Sequence, residues 1–457
     1  MEFIRRTFAV DFIRWNQRGN VRLSVIGCGY LGAVHAASMA KLGHEVTGID
    51  VDQSKVDELA AGRAPFFEPG LPELLAEAQA TGRLTFSTDM ADAAGADVHF
   101  VCVGTPQRKG EYAADLRFVD AAVAGLAPYL KPGNVVVGKS TVPVGTAARL
   151  ADMLADDAPE AVLLWNPEFL REGHAVQDTL SPDRFVYGVP AGPAGEAAAA
   201  ALDEVYAVPL ATGTTRMLVD YATAELVKTA ANSFLATKIS FINAMAEVCE
   251  ASGADVTALA DAIGMDERIG RKFLNAGVGF GGGCLPKDIR AFMARAGELG
   301  ADQALTFLRE VDAINMRRRS KVVEMTRDIC GGSLLGKRIT ILGAAFKPDS
   351  DDVRDSPALS AAAQLQLQGA TVTVTDPEAL QNAKGRFPEL NYEPVAENAI
   401  ENAHALVLLT EWKQYLALDP VTIGTLVTDR NIIDGRNVLN AEQWRSAGWN
   451  YKGMGRP

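Results

Sequence analysis

Cys284 closes the most unusual run in this 457-residue sequence, Gly277-Val278-Gly279-Phe280-Gly281-Gly282-Gly283-Cys284-Leu285-Pro286-Lys287-Asp288. Five glycines in seven residues make a backbone able to wrap closely around a ligand. Pro286 favours a first helical turn. The thiol is therefore expected at or just before a helix N-terminus, where the dipole and unpaired N–H groups favour the nucleophilic thiolate. Helical spacing then puts Asp288 one turn on, able to face the same space. A lone cysteine is more often an inert, buried small hydrophobe; the glycines and the helix start argue for the reactive reading. Lys228 and Asn232 are four apart and share one helix face, where ammonium and amide could steady an oxyanion or simply decorate an amphipathic surface. Two more segments carry polar groups, Asn166-Pro167-Glu168-Phe169-Leu170-Arg171-Glu172-Gly173 and Lys139-Ser140-Thr141-Val142-Pro143. In them Glu168 is a candidate general base or a helix cap, and Thr141 a candidate positioning hydroxyl.

Such groups need strand ends and helix starts to hold them. Arg22–Gly27 and Leu42–Asp50 flank a helical stretch, and Arg338–Gly343 and Gln368–Asp376 flank another in the same way. Each is a short apolar strand, a glycine turn, an Ala-rich helix closed by Gly, and a strand ending in Asp. That is a βαβ unit, whose crossover helix covers a parallel sheet. Two copies predict an α/β fold with two doubly wound, Rossmann-like domains. Further strands are expected at Val98–Val103, Val135–Gly138 and Val162–Trp165 in the first, and at Ala405–Leu409 and Asn431–Ile433 in the second. Glu168 and Thr141 then fall beyond strand C-termini, where an open parallel sheet places its ligand crevice. From Thr214 to Ser252 the chain has neither Gly nor Pro, which predicts one long helix, or two nearly continuous ones, joining the domains and offering a dimer surface.

The first βαβ turn reads Gly27-Cys28-Gly29-Tyr30-Leu31-Gly32, after a strand and before a helix, with Asp50 ending the next strand 23 residues beyond Gly27. The glycines allow a tight turn and close approach to a pyrophosphate, whose charge meets the helix N-terminus. Asp50 would accept from an adenosine ribose and repel the extra phosphate of NADP, so the expected cofactor is NAD. The second turn, Gly343-Ala344-Ala345-Phe346-Lys347-Pro348, has lost the glycine pattern, and no second dinucleotide is expected. Lys347 there could meet a phosphate or sugar hydroxyl, or remain solvated.

A net charge of −13 argues against nucleic-acid and anionic-membrane partners. Five scattered cysteines without CxxC spacing exclude a disulfide framework or zinc site, so no metal is expected, and suit a reducing cytoplasm. No run approaches a membrane span. Arg5-Arg6-Thr7-Phe8 superficially resembles a twin-arginine export signal, but Asp11 and Arg14 break the apolar region it needs. Residues 1–21 read better as a frayed or helical extension.

Together these residues resemble the UDP-glucose/GDP-mannose dehydrogenase family from Val21 to about Leu439, through GCGYLG, FFEPGL, KSTVPVGT, NPEFLREG, AELVKTAAN, ERIGRKFLNAGVGFGGGCLPKD, FKPDSDDVRDSP and DGRNVL. The resemblance implies an NAD-binding domain over 22–213, a central helical and dimerisation domain over 214–315, and a UDP-sugar-binding domain over 316–457. It implies oxidation of a hexose alcohol to an acid in two hydride transfers, with Cys284 forming a thiohemiacetal and then a thioester. Lys228 and Asn232 would steady the oxyanion, while Asp288 and Glu168, with Thr141 nearby, would handle water and protons. Asp50, Lys55, Thr105, Ser140, Thr141, Glu172 and Arg354 match NAD-binding positions. Phe169, Leu170, Asn275, Gly279, Phe346, Lys347 and Arg436 match positions around the UDP-sugar. Arg268 matches an arginine that reaches a neighbouring subunit's site, implying a homodimer or a dimer-based oligomer. Residues 268–274 and 181–184 look closer to the UDP-glucose branch, leaving GDP-mannose and UDP-N-acetylhexosamines as rival substrates. A 6-phosphogluconate-type dehydrogenase would need no thiol, and a silent NAD or sugar-nucleotide sensor would be expected to have lost Cys284, Lys228 or Asp288.

Overall fold

The computed structural model describes residues 20–457, which form two compact units, one ending at Ala230 and one running from Ala231 to Pro457. The expected N-terminal extension lies almost wholly outside the described residues.

The strands of the first unit are β1 (Arg22–Ile26), β2 (Glu45–Ile49), β3 (Leu84–Ser87), β4 (Val98–Val101), β5 (Val135–Gly138), β6 (Val162–Trp165), β7 (Arg184–Gly188) and β8 (Thr215–Val219). They lie in the order β3-β2-β1-β4-β5-β6-β7-β8, all neighbours parallel except β6 with β7. Strands β4, β5 and β6 are buried along their whole length, as short apolar runs in a sheet covered on both faces must be. Alternate residues feed the two faces. Val25, Phe100, Val137 and Leu164 enter one core, and Ile26, Val101, Val136 and Leu163 the other. Strand order reverses between β1 and β4, where the helix α1 (Tyr30–Lys41) starts.

The long Gly- and Pro-free run departs from expectation at its start. Thr215–Val219 forms the edge strand β8, and one unbroken helix, α2, follows over Tyr221–Ser252. The divider is Asp220, whose carboxylate accepts from Thr223 N at 2.8 Å, an N-cap after which the helix starts at Tyr221, seven residues later than composition suggests.

In the second unit α3 (Leu285–Glu298) and α4 (Phe307–Ile329) precede the sheet, which is built from β9 (Arg338–Leu342), β10 (Thr371–Thr375), β11 (Asn391–Tyr392), β12 (Ala405–Leu408), β13 (Asn431–Asp434) and β14 (Asn450–Gly453). Their order, β11-β10-β9-β12-β13-β14, is entirely parallel and repeats the arrangement of β3-β2-β1-β4-β5-β6. Ile339, Ile341, Val372, Val374, Leu406, Val407, Ile432 and Ile433 carry its core.

Candidate active site

At the first turn Gly27 takes φ +89°, and a Cβ there would lie 2.7 Å from Val103 Cγ1. A Cβ on Gly32 would come within 1.8 Å of the Gly27 carbonyl oxygen, so only glycine lets α1 begin against the turn. Gly29 differs: its Cβ would meet nothing within 4 Å, leaving the space beside it to a ligand. Asp50 accepts from Cys28 N at 2.8 Å and from Lys55 Nζ at 2.9 Å, which hold its carboxylate in front of the turn. A strained turn, an open glycine and a tethered acid at the end of β2 fit a dinucleotide. The ribose expected at Asp50 would share a carboxylate that already has three donors, Asp52 N at 3.1 Å being the third.

The loops around this turn are stitched together. Ser140 Oγ donates to Val103 O at 2.7 Å, and Thr105 Oγ1 to Thr141 O at 2.7 Å, tying the ends of β4 and β5. The Tyr30 hydroxyl donates to Glu68, which also accepts from Gly173 N and Ala175 N, both at 2.7 Å. Burial, then the Glu68 carboxylate and the charge of Glu172, push that hydroxyl far above its ordinary range. Glu68 was not singled out from sequence; an acid between two phenylalanines and Pro-Gly was the available signal.

Glu168 and Lys228 are brought together as an ion pair, Nζ to Oε1 at 2.9 Å, with both side chains largely buried. Burial pushes the Glu168 carboxyl up, but the Lys228 ammonium and a hydrogen bond from Leu170 N outweigh it and hold the group below its usual range. Phe169 follows, with the Arg184 guanidinium 4.0 Å above its ring. Beneath lies a buried cation given no role from sequence. Lys139 Nζ reaches Asn166 Oδ1 at 3.0 Å and Tyr206 OH at 3.4 Å, and burial lowers its pKa to about 8. A lysine directly after an all-apolar four-residue strand was its signature.

In the second unit Cys284 is exposed and occupies the N-cap of α3, with Pro286 in the first turn, as the sequence pattern predicts. Asp288 N donates to Cys284 O at 3.0 Å, so acid and thiol are one turn apart. The Asp288 side chain is buried and accepts from Asn232 Nδ2 at 2.6 Å and Lys287 Nζ at 2.5 Å.

The five glycines do something other than expected. A Cβ on Gly277 would lie 2.5 Å from Gly435 O, on Gly279 2.3 Å from Asn315 Oδ1, and on Gly281 2.4 Å from Asp355 O. On Gly282 it would meet the Phe346 ring at 2.8 Å, and on Gly283 the Arg354 guanidinium carbon at 2.2 Å. What this loop wraps first is the protein itself. Arg436 grips it as well, donating to Gly279 O, Phe346 O and Leu409 O at 3.0, 3.0 and 2.7 Å. Arg354 is held by Asp352 at 2.8 Å, Lys347 sits 5.5 Å over the Phe346 ring, and Asn275 accepts from Arg271 at 2.7 Å. Arg268 stands apart, its side chain 88% exposed and paired with Asp266 at 2.6 Å.

Models of the UDP-glucose/GDP-mannose dehydrogenase family match three stretches: its NAD binding domain at residues 21–208, its central domain at 222–317 and its UDP binding domain at 340–441. A UDP-glucose 6-dehydrogenase from Rhizobium meliloti (strain 1021) is 40% identical over 440 residues, covering 96% of this chain and 100% of its own. The UDP-glucose 6-dehydrogenase TuaD of Bacillus subtilis (strain 168) is 40% identical over 443 residues, 95% of this chain and 93% of its own. Among solved structures, a UDP-glucose dehydrogenase from the archaeon Pyrobaculum islandicum superposes with a TM-score of 0.87 at 37% identity, covering 96% of this chain and 98% of that one. A UDP-D-ManNAc dehydrogenase from Pyrococcus horikoshii gives 0.83 at 25% identity, covering 95% and 99%.

Proposed function

The chain belongs to the UDP-glucose/GDP-mannose dehydrogenase family, and on that premise we propose that it oxidises the C6 alcohol of UDP-glucose to the carboxylate of UDP-glucuronate with NAD. The observation that carries this reading is the exposed thiol of Cys284 at the N-cap of α3, with the buried Asp288 carboxylate one turn behind it. The substrate is favoured by two relatives named for UDP-glucose at 40% identity, against 25% for the ManNAc enzyme.

NAD, when bound, accepts a hydride in each of two oxidations. Gly27, Gly29, Tyr30, Leu31, Gly32, Asp50, Lys55, Thr105, Ser140, Thr141, Glu172 and Arg354 are the residues assigned to hold it. In the first oxidation the C6 hydroxyl loses its proton and the carbon becomes an aldehyde. Cys284 Sγ then adds to that carbonyl, the thiol proton leaves, and the thiohemiacetal keeps the aldehyde from escaping. Lys228 and Asn232 steady the oxygen as it becomes anionic, the role that donors in a dry site perform best. The second oxidation leaves a thioester; water attacks it, the C–S bond breaks, and the thiol is regenerated. Glu168, held ionised by Lys228, accepts protons in the oxidations, and Asp288 orients the water. Phe169, Leu170, Asn275, Gly279, Phe346, Lys347 and Arg436 are assigned to the nucleotide sugar.

We assign the protein to the cytoplasm and to a homodimer in which Arg268 serves the partner's site. Phe234, Phe241 and Val248 recur at seven-residue spacing along α2 and are 66%, 49% and 57% exposed, an apolar stripe suited to a second copy. Light scattering on Phe234→Glu should find a monomer. The reaction itself is tested by counting NADH: two are expected per UDP-glucose consumed, and a ratio of one would remove the thioester route. A panel of nucleotide sugars should give the highest kcat/KM with UDP-glucose.

A further inference from the structure

One face of α4 holds the chain on both sides of the thiol. Asp312, Asn315 and Arg319 are spaced i, i+3 and i+7, so they line one side of the helix. Asn315 is fully buried and treats Phe280 as a strand neighbour would. Its Oδ1 accepts from Phe280 N at 2.8 Å, and its Nδ2 donates to Phe280 O at 3.0 Å. Arg319 Nη2 adds a donor to the same carbonyl at 3.3 Å, and its Nη1 binds Asp355 Oδ1 at 2.8 Å. Beyond the thiol, Arg290 of α3 donates to Asp312 through Nε and Nη2 at 3.1 and 3.0 Å, and its Nη1 lies 3.6 Å from Asp355 Oδ2. The chain is thus fixed at Phe280, four residues before Cys284, and at Arg290, six residues after it.

We propose that Asn315 is a positioning residue of this reaction, which with Asp312 and Arg319 sets where Cys284 Sγ stands. The inference rests on Cys284 being the nucleophile. Its physical basis is that the segment from Gly281 to Gly283 has no side chains to anchor it. Gly279 and Gly282 are at φ +96° and +84°, conformations from which a glycine chain can leave cheaply. Single bonds hold the glycines that follow, Gly282 N donating to Arg354 O at 2.8 Å and Gly283 N to Asp352 Oδ2 at 3.2 Å, whereas at Phe280 one side chain, Asn315, meets both polar atoms of the residue's backbone. Two amide–amide bonds in a dry site define the height and tilt of that peptide, and the three glycines and the cap of α3 then have little freedom left.

The test is Asn315→Ala in the full-length enzyme, with Asp312→Asn as a second variant that leaves the Phe280 contacts intact and loosens Arg290. A displacement of the thiol by about 1 Å costs on the order of 100-fold in kcat, with KM for UDP-glucose changed by no more than about threefold. Alkylation of Cys284 by iodoacetamide, measured without substrate, should stay within about twofold, because the helix end that favours thiolate is unmoved. Aldehyde that the displaced thiol fails to capture should appear as a hydrazine-trapped UDP-sugar, and NADH per sugar should fall below two. Loss of melting temperature alone would produce neither the leak nor the split between kcat and KM. Parent-like kcat and no trapped aldehyde in Asn315→Ala overturns the inference. Should that variant not fold, Asp312→Asn decides, with about a tenfold lower kcat expected and parent-like turnover overturning it. Cys284→Ala is run alongside. If it retains turnover, the nucleophile reading falls and takes this inference with it, whereas a dead Cys284→Ala beside a parent-like Asn315→Ala removes the inference alone.

Discussion

The turn after β1 and the turn after β9 are the same piece of backbone used for two purposes. In one, Gly27 N donates to Ile49 O at 2.7 Å, and in the other Gly343 N donates to Thr375 O at 2.8 Å. Both glycines have positive φ, +89° and +106°, and in both an aspartate follows the second strand. The difference lies in what satisfies that acid. Asp376 is 2% exposed and takes five protein donors: Ala344 N at 2.7, Ala345 N at 3.0, Glu378 N at 2.9, Ala379 N at 2.8 and Trp412 Nε1 at 3.0 Å. Asp50 takes three donors, Cys28 N from its turn, Asp52 N at 3.1 Å and the Lys55 ammonium, the last on a partly exposed side chain able to move. Gly29, two residues after Gly27, faces open space, while Ala345, two residues after Gly343, is fully buried. A repeated βαβ unit is therefore a scaffold. Whether it binds a dinucleotide depends on whether its own indole and alanines have already filled the place.

The widest separation should come from removing the two acids. Asp376→Ala strands several buried donors and is expected to destabilise the chain by about 3–5 kcal/mol, with NAD affinity of the folded fraction changed less than about twofold. Asp50→Ala is expected to cost only about 1–2 kcal/mol of stability while weakening NAD roughly tenfold. Urea denaturation and NAD titration on both variants read the contrast. Equal NAD losses with equal stabilities would erase the distinction between the two turns.

A smaller change sharpens the point within the first turn. Gly29 has ordinary negative φ and room for a methyl group, so Gly29→Ala should leave the melting temperature where it is. If a pyrophosphate occupies that space, the added methyl is an overpacking cost of about 1–3 kcal/mol borne only by the ligand, or roughly 5- to 150-fold in Kd. Gly32→Ala should do the reverse and melt early, since its methyl meets the Gly27 carbonyl. Calorimetry and NADH titration separate the two. Normal NAD binding in Gly29→Ala would mean the dinucleotide does not pass over this glycine.

How far these turns could be read in advance follows from how local they are. Strand, glycine, helix and acid all lie between Arg22 and Asp50 in one and between Arg338 and Asp376 in the other, and every determinant is written in the segment itself: Gly27, Gly32 and Asp50, and Gly343 and Asp376. The central strands were legible for the same reason, as fully buried apolar runs. β11 and β14 were not, because Asn391–Tyr392 and Asn450–Gly453 carry no apolar run and owe their strand form to the neighbour they pair with. The glycines of 277–283 show the other kind of failure. Composition tells that something approaches closely, and only the fold tells that it is Gly435, Asn315, Asp355, Phe346 and Arg354. Asp220 was missed as a divider because a single capping residue leaves no periodicity. Lys139 and Asn315 were missed because a buried polar side chain is recognised by its partners, which lie far away in sequence.

Lys139 gives the smallest expected effect and a last contrast between the halves. It follows β5, and Asp434 ends β13, the strand in the matching place of the second sheet. Burial suppresses both charges, lowering the lysine from 10.5 to about 8 and raising the aspartate above its ordinary range. The consequences for stability have opposite sign. Below pH 8 Lys139 is charged in both folded and unfolded chains, and the fold bears the full cost of that buried ammonium despite the opposing pull of Glu168. Between about pH 8 and 10.5 the folded chain has released a proton that the unfolded chain keeps, so the cost fades as pH rises. For Asp434 the folded chain keeps a proton that the unfolded chain has released, so its cost grows as pH climbs above 3.8. Lys139→Met removes the first cost while Tyr206 OH still donates to Asn166 Oδ1 at 3.0 Å. The stability advantage of that variant over the parent should therefore shrink by about 2 kcal/mol between pH 7 and pH 9.5. For Asp434→Asn, measured from pH 4 to 7, the difference from the parent should instead shift toward the variant as pH rises. Urea midpoints at each pH read both slopes, and parallel curves for parent and Lys139→Met would show that the buried ammonium is not suppressed at all.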